Sequence, residues 1–482
     1  MSLKKQIALR EHDARQLEPG AVARQDVRQA VINYTETFLE NLEKGKAYEA
    51  VSDRGKGLLK SPIGEKPAPI ASLLRLLHKS VDFPALNPAS GGHLGYIPGG
   101  GVYYASLGDY MADITNRYAG VFYAGPGAVR MENMLIRWVA GVVGYPVSAG
   151  GNLASGGSIA NLIGICTARD AKGVTAAQVK KSVIYLTRQA HHSIEKAIRI
   201  AGLKECVIRY VPTDSGFRMD ADRLAHLIES DRRKHLIPFL LVASAGTTDV
   251  GAVDPLERLG KIARKYGLWF HVDAAYGGFF ALTKEGKAKL KGMELSDSLV
   301  IDPHKGLFLP YGLGVVLVKK PKLLQATHYY QANYMQDALS ETDEPSPADL
   351  SPELTKHFRG LRMWLPLKLH GVRPFRACLE EKLLLAKYFY EEIRKLGFET
   401  VTEPELSVVT YRFVPAKGDA DAFNKKLLKI VQEDGRVFIS STILHGRFTL
   451  RFACLSFRTH RSTVDTLLQV LQKGVESIQR RG

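Results

Sequence analysis

Cysteine is scarce. Cys166, Cys206, Cys378 and Cys454 are the only four in 482 residues, and no two of them form a CxxC pair. That spacing excludes a disulfide framework and a zinc site, so no metal is expected; it suits a reducing cytoplasm, the expected location. Long apolar runs are missing as well. The longest, LIPFLLVASAG at 236–246, is too short to span a bilayer and reads as a buried strand. The first residues, MSLKKQIALREHDARQ, are mixed in charge and lack the apolar centre of a signal peptide. There is no internal repeat and no low-complexity tract. Acidic residues are outnumbered, 49 against 66 Lys and Arg, which leaves a net charge of +17. Clustered positive charge binds phosphate backbones. Here the basic residues are scattered, and the densest groups, Arg232-Arg233-Lys234 and Lys287/Lys289/Lys291, sit among ordinary helical residues. No helix-turn-helix, zinc-finger or RNA-binding signature accompanies them. A solvated basic surface is expected, with neither nucleic acid nor membrane as partner.

What is present is the composition of a large globular enzyme, 45% hydrophobic and 24% charged. Residues 1–101 read as a helical N-terminal segment with Pro and Gly breaks, ending in NPASGGHLGYIPGGG. From about 150 to 320 short β-rich runs alternate with helical patterns: SVIYL (182–186), CVIRYV (206–211), PFLLVA (238–243), LWFHVD (268–273), SLVID (298–302) and GVVLV (314–318). Alternation of this kind predicts an α/β domain, set at 102–377, with a mostly parallel sheet between helices. Residues 333–356 are polar, proline-bearing and acidic, as a long exposed loop would be. Strand-like LSVVTYRFV, RVFISSTI and FTLRFAC, followed by a terminal helix, predict a small α+β domain over 378–482.

Three segments carry chemistry. ASGGSIANLIGICTARD (154–170) places Gly156-Gly157-Ser158 at the start of a helix whose apolar face follows at 159, 162, 163 and 166. Free N–H groups at such a helix start suit a phosphate, although a plain turn and cap has the same appearance. HVDAAYGGFF (271–280) puts Asp273 at the carboxyl edge of a strand, where ligands bind in α/β sheets. It reads either as a capping or paired carboxylate, or as an acid that keeps a ring nitrogen protonated. SLVIDPHKGLFLPYGLGVVLV (298–318) is the most specific. Lys305 follows a buried-looking strand in a stretch free of charge from His304 to Val318 apart from the lysine itself. An amine kept near apolar groups becomes a usable nucleophile for an aldehyde.

The order of phosphate turn, ring-acid strand and lysine loop resembles the fold-type I pyridoxal-phosphate enzymes. More closely, the chain resembles the pyridoxal-dependent decarboxylases of the aromatic-L-amino-acid, histidine and glutamate type, from HLGYIP (93–98) to LRFACLSFRTH (450–460). The motifs that carry the resemblance are GGSIAN, AHHSIEKA, AGTTDVGAVDPL, HVDAAY, DPHK and LRMWLPLKLHG.

The resemblance implies pyridoxal 5′-phosphate as cofactor, with Lys305 as its Schiff-base lysine and Asp273 as partner of the pyridine nitrogen. His191 resembles the imidazole that stacks on the ring, and Ala275 the residue packing its opposite face. Gly157 and Ser158 resemble phosphate binders, Thr248 a threonine near the ring oxygen, and His304 a further polar contact. Tyr334, 29 positions after Lys305 (334 − 305), matches the tyrosine of a mobile loop. Tyr96, Ile97, Pro98 and Phe122 are expected to line the substrate pocket. The implied reaction is α-decarboxylation of an L-amino acid, with an aromatic substrate as the default, in a homodimer whose N-terminal segment wraps its partner.

Gly306 stands where many relatives carry Trp, Lys356 where they carry Arg, and Gly99-Gly100-Gly101 where they carry larger residues. These departures bear on the substrate. Four rivals stand beside the main reading. They are an aldehyde-forming oxidative deaminase, a carbon–carbon lyase of the sphingosine-phosphate type, a decarboxylase of an acidic amino acid, and a basic non-catalytic binding protein. Tyr334 speaks against the aldehyde former, where phenylalanine is usual, and intact Lys305, Asp273 and His191 speak against the binding protein.

Overall fold

Helices α1 (Leu3–Ala14), α2 (Ala21–Glu40) and α3 (Ile70–Leu77) begin the chain, and none of them contains a buried residue. The computed structural model describes residues 1–51, 54–330 and 344–481. Strands β1 (Tyr48–Glu49) and β2 (Ala85–Leu86) pair antiparallel within this first segment. A third strand, β3 (His93–Leu94), pairs in parallel with residues 438–439 of the C-terminal region. The first hundred residues are therefore not wholly helical. Helices α4 (Tyr103–Thr115) and α5 (Pro126–Val143) lead into the large domain.

The alternating pattern forms one seven-stranded sheet. In chain order its parts are β4 (Gly150–Ala154), α6 (Gly157–Ala171), β5 (Ser182–Leu186), α7 (His192–Ile200), β6 (Val207–Tyr210), α8 (Ala221–Arg233), β7 (Ile237–Ser244), α9 (Leu256–Tyr266) and β8 (Trp269–Asp273). Helix α10 (Lys284–Lys289), β9 (Ser298–Ile301), the single turn α11 (Pro303–Gly306), β10 (Gly314–Val318) and α12 (Pro321–His328) complete it. The strand order is β4-β10-β9-β8-β7-β5-β6. The pairs β6–β5, β5–β7, β7–β8 and β8–β9 are parallel, while β10 runs antiparallel to both β9 and β4. Parallel neighbours need crossover helices, and a sheet covered on both faces buries both sets of alternating side chains. Val183, Tyr185, Leu241, Ala243, Phe270 and Val272 pack with α5, α8 and α9 on one face. Ile184, Leu186, Leu240, Val242 and Val300 pack with α6, α7 and α12 on the other.

Helix α13 (Gly360–His370) and the 23-residue α14 (Arg373–Lys395) join this body to the rest. Phe375, Leu379 and Leu383 of α14 belong to the large core, and Leu385, Ala386 and Phe389 to the small one. The small core lies against β11 (Phe398–Thr400), β12 (Val408–Phe413), β13 (Phe438–Leu444) and β14 (Arg447–Ala453), with α15 (Ala420–Asp434) and α16 (Arg461–Arg481). Their order, β11-β12-β14-β13-β3, ends on the N-terminal strand.

The expectation of an exposed loop over 333–356 needs correction for the part described, 344–356. Glu344, Pro347, Leu350, Ser351 and Lys356 are buried. Glu344 accepts from Asn133 Nδ2 (2.8 Å) and from Arg137 (3.1 Å), and Lys356 Nζ meets Glu132 at 2.7 Å with both side chains inaccessible. Acidic and polar composition suggested solvent, whereas these groups are inside because each has a charged or amide partner.

Candidate active site

Five strand ends converge on one cavity of about 260 Å³. Ser155, Gly156, Gly157 and Ser158 follow β4; His191 and Ser193 follow β5; Gly246, Thr247 and Thr248 follow β7; Asp273, Ala275 and Tyr276 end β8; Asp302, His304 and Lys305 follow β9. All five are carboxyl ends, where a parallel sheet opens between its crossover connections. Lys305, Asp273, His191, Gly157, Ser158, Thr248, Ala275 and His304, which lie up to 148 positions apart (305 − 157), are thus brought together.

Gly156 turns the chain from β4 into α6 with φ +152°, a conformation side chains rarely adopt. The turn presents the first N–H groups of a 15-residue helix to the cavity, with the Ser155, Ser158 and Thr247 hydroxyls nearby. Of the apolar positions expected to face inward, Ile163 is buried, while Ile159, Leu162 and Cys166 are half-buried. Asn161 takes a fully inward place among them.

Lys305 stands on the short turn α11 rather than in an irregular loop. Its Nζ lies 3.2 Å from Asp302 Oδ2, so the amine faces a counter-charge and not the apolar wall anticipated. Asp302 is 1% exposed, and among the described residues no hydrogen bond reaches either of its oxygens. His304 packs beside it: the Nδ1–H donates to the Leu313 carbonyl at 2.6 Å, leaving Nε2 3.7 Å from Asp302. Burial pulls the His304 ring below its ordinary value, partly opposed by Asp302.

Asp273 is buried, and both its oxygens accept hydrogen bonds, Oδ1 from the Ala275 N–H and Oδ2 from the Asn161 amide, each at 3.1 Å. His191 caps α7. Its Nδ1 accepts from the Ser193 N–H at 3.3 Å and lies 2.8 Å from the Ser193 hydroxyl. Desolvation lowers the affinity of His191 for a second proton, against the pull of Asp273. The His192 ring lies 4.0 Å from it, centroid to centroid.

Tyr96, Ile97, Pro98 and Phe122 do not line this cavity. Ile97 points into the large core and Tyr96 is 63% exposed, both with positive φ. Phe122 lies under the Arg130 guanidinium and donates its N–H to Ser346. The residues that follow Pro98 do approach. Gly99, Gly100 and Gly101 line a second cavity, of about 280 Å³, which shares His304 with the first. Tyr334 lies outside the described residues. Gly306 has a steric reason: a Cβ there would come within 2.6 Å of Phe279 Cβ, so Phe279 fills the space a larger residue would need. Asn161, Ser193, Tyr276 and Asp302 escaped the sequence reading, although polar Asn161 inside an apolar helix stretch was a usable signal.

The donor set fits pyridoxal phosphate. A helix start with hydroxyls suits the phosphate, a buried carboxylate suits a protonated ring nitrogen, and a lysine amine suits the aldehyde. Among the described residues no group of three or more His, Cys, Asp or Glu is placed to hold a metal.

The comparisons agree with this chemistry. An aromatic-L-amino-acid decarboxylase from Bacillus atrophaeus is 32% identical over 429 residues, 88% of each chain. A phenylacetaldehyde synthase from Arabidopsis thaliana is 29% identical over 388 residues, 77% of this chain and 79% of its own. The crystal structure of Catharanthus roseus tryptophan decarboxylase in complex with L-tryptophan matches with a TM-score of 0.87 at 26% identity, over 95% of this chain and 99% of that one. The model of the pyridoxal-dependent decarboxylase conserved domain matches residues 90–414. The chain belongs to the pyridoxal-dependent decarboxylases, fold-type I carboxy-lyases that work with pyridoxal phosphate.

Proposed function

We propose that this decarboxylase acts on an aromatic L-amino acid and releases the corresponding amine. The observation that carries the reading is the second cavity. Phe38, Leu86, Pro88, Leu309, Pro310 and Tyr311 give it apolar walls, the glycines at 99–101 leave it room, and among the described residues no Lys or Arg lines it. Asp82, the one carboxylate among its described lining residues, would repel an acidic side chain. The aromatic substrates named for the relatives support the same choice.

When bound, pyridoxal phosphate supplies an aldehyde for the substrate's amine and a ring that withdraws electrons. The protein does the rest. The turn at Gly156–Ser158 would hold the phosphate, Lys305 would hold the cofactor through its aldehyde, and Asp273 would keep a proton at the ring nitrogen. His191 and Ala275 would pack against the ring, and Thr248 and His304 would add polar contacts. Tyr334 brings a proton to Cα once CO2 has left, a role that rests on its match to the family's loop tyrosine.

A second copy of the chain completes the molecule. Support comes from α1–α3, in which no residue is fully buried, and from the groove of about 880 Å³ between α2 and α3. A cytoplasmic location is supported by four free thiols, and no described helix is long and apolar enough to cross a membrane.

The test is a panel of L-amino acids assayed for CO2 and amine. Trp, Tyr, Phe or a hydroxylated relative should be the best substrate. A clear preference for glutamate or aspartate would overturn the assignment.

A further inference from the structure

We infer that five buried side chains, Trp269, Ser298, His271, Asn161 and Ser193, form a one-way run of hydrogen bonds that sets Asp273 and His191 in their working states. The inference rests on the roles proposed for those two residues. Trp269, His271 and Asp273 occupy alternate positions of β8 and so face one side of the sheet, the side covered by α6 and α7. Ser298 lies opposite His271 on β9, Asn161 is on α6 and Ser193 on α7.

The distances close a continuous path. Trp269 Nε1 is 2.8 Å from Ser298 Oγ, Ser298 Oγ 2.8 Å from His271 Nδ1, and His271 Nε2 2.9 Å from Asn161 Oδ1. Asn161 Nδ2 then reaches both Asp273 Oδ2 and Ser193 Oγ at 3.1 Å, and Ser193 Oγ lies 2.8 Å from His191 Nδ1.

The direction follows from the two ends. An indole N–H can only donate, so Ser298 accepts from Trp269, and its own proton is free for His271 Nδ1. That leaves the proton of the neutral His271 ring on Nε2, facing the Asn161 carbonyl. At the other end the Asp273 carboxylate accepts, so the Asn161 NH2 group must point toward it, which again turns the Asn161 carbonyl to His271. The second N–H of Asn161 goes to Ser193, and because His191 Nδ1 already accepts the Ser193 N–H, that nitrogen is bare and takes the Ser193 hydroxyl proton as well. With Nδ1 accepting, neutral His191 carries its proton on Nε2.

Two further observations agree. The run needs a neutral His271, and burial lowers that ring to about 4. Helix α6 also has a glycine where the ring lies, since a Cβ on Gly164 would come within 2.8 Å of His271 Cε1. The helix makes room for the imidazole at the cost of helix propensity, as a positioning role requires. These five are positioning residues; none of them is assigned contact with the reacting atoms.

Enzyme labelled with 15N-histidine tests the direction. In cofactor-free and cofactor-loaded protein at pH 7, His271 and His191 should both show a protonated Nε2 and a bare Nδ1. Their signals are assigned by their loss in His271→Gln and His191→Gln. A proton on Nδ1 of His271, or on both nitrogens, would overturn the inference. Glutamine can donate to Asn161 and accept from Ser298 as the imidazole does, whereas leucine can do neither. His271→Leu should therefore bind pyridoxal phosphate about tenfold more weakly, with an altered cofactor absorbance, and His271→Gln should recover most of that loss. Equal impairment of the two variants, or none in His271→Leu, would make the run packing alone. Borohydride labelling of Lys305 in the parent checks the underlying cofactor reading separately, because the tautomers are read without cofactor.

Discussion

Around the cofactor cavity, Asp273, Asn161, His271, Ser193 and Ser298 all find hydrogen-bond partners within the same chain. In α1–α3 no residue is buried, and Ile7, Leu9, Val27, Leu73 and Leu77 are 39–55% exposed. Buried polar groups must be paired before a site is rigid, and one chain achieves this around Asp273, although Asp302 in the same cavity has only the Lys305 amine as counter-charge. Apolar helix faces must be covered before they are stable, and in the N-terminal segment one chain leaves them open. The cavity should therefore keep its structure when its chemistry is removed, and the N-terminal segment should fail when dimerisation is prevented.

The largest effect should come from Lys305→Ala, which leaves the phosphate turn and Asp273 in place. Turnover should fall by at least about 10³-fold, with the loss of borohydride-fixed cofactor and no change in assembly by sedimentation. Parent-like turnover, or label retained on another lysine, would remove Lys305 from its assigned place. Asp273→Ala should lower kcat by roughly 10²-fold or more with a smaller change in KM, because ring protonation matters most as charge develops. Near-parent kcat would separate Asp273 from the chemistry. Tyr334→Phe should still release CO2, but lose amine and gain aldehyde, ammonia and hydrogen peroxide, since phenylalanine keeps the ring without the proton. Unchanged amine with no oxygen uptake would move the proton to His191.

On the other side of the comparison, Leu73→Asp puts a charge into the open face of α3. It should weaken dimerisation by roughly tenfold or more while the concentrated enzyme keeps its kcat, so that activity falls on dilution. An unchanged dimer would show that this face is not the one covered.

Some of this was legible in the sequence and some was not, for physical reasons. The strand ends could be read because Gly, Pro and Asp punctuate them, as in ASGGS and DPHK, and because period-2 and period-3.6 patterns alternate between them. The run behind Asp273 could not, since it depends on the register that sets His271 opposite Ser298 and on Asn161 reaching across from a helix 110 positions earlier. The pairing of β3 with β13 was equally hidden, two residues being too few to carry a pattern. Residues 344–356 misled because composition reports polarity and not partners. Glu344 meets Arg137, and Lys356 meets Glu132, from more than 200 positions away.

The smallest effect concerns acid. Burial lowers His271 and His93 from 6.5 to about 4 each. Above about 6.5 both the native and the unfolded chain hold these rings neutral, and pH has no effect through them. As pH falls below that value the unfolded chain takes up protons that the native rings refuse until about pH 4, so stability declines through that window. Asp254, raised to about 6 by burial, acts in the opposite sense, because the native chain then protonates first and gains stability as pH drops. The net slope mixes these groups, but the difference between the parent and His271→Gln isolates one ring. At pH 5 that ring costs about 2 kcal/mol. The fall in Tm between pH 7 and pH 5 should accordingly be smaller in His271→Gln by a few degrees. Leu73→Asp, measured as the dissociated chain, should keep the part of the parent's dependence that His271→Gln removes, because the His271 ring lies behind Asp273, bonded to Asn161 and Ser298, and not in α1–α3. Equal slopes in the parent and His271→Gln would mean that the wall behind Asp273 admits a proton, and the contrast between a finished cavity and an open N-terminal face would then fail at its most buried point.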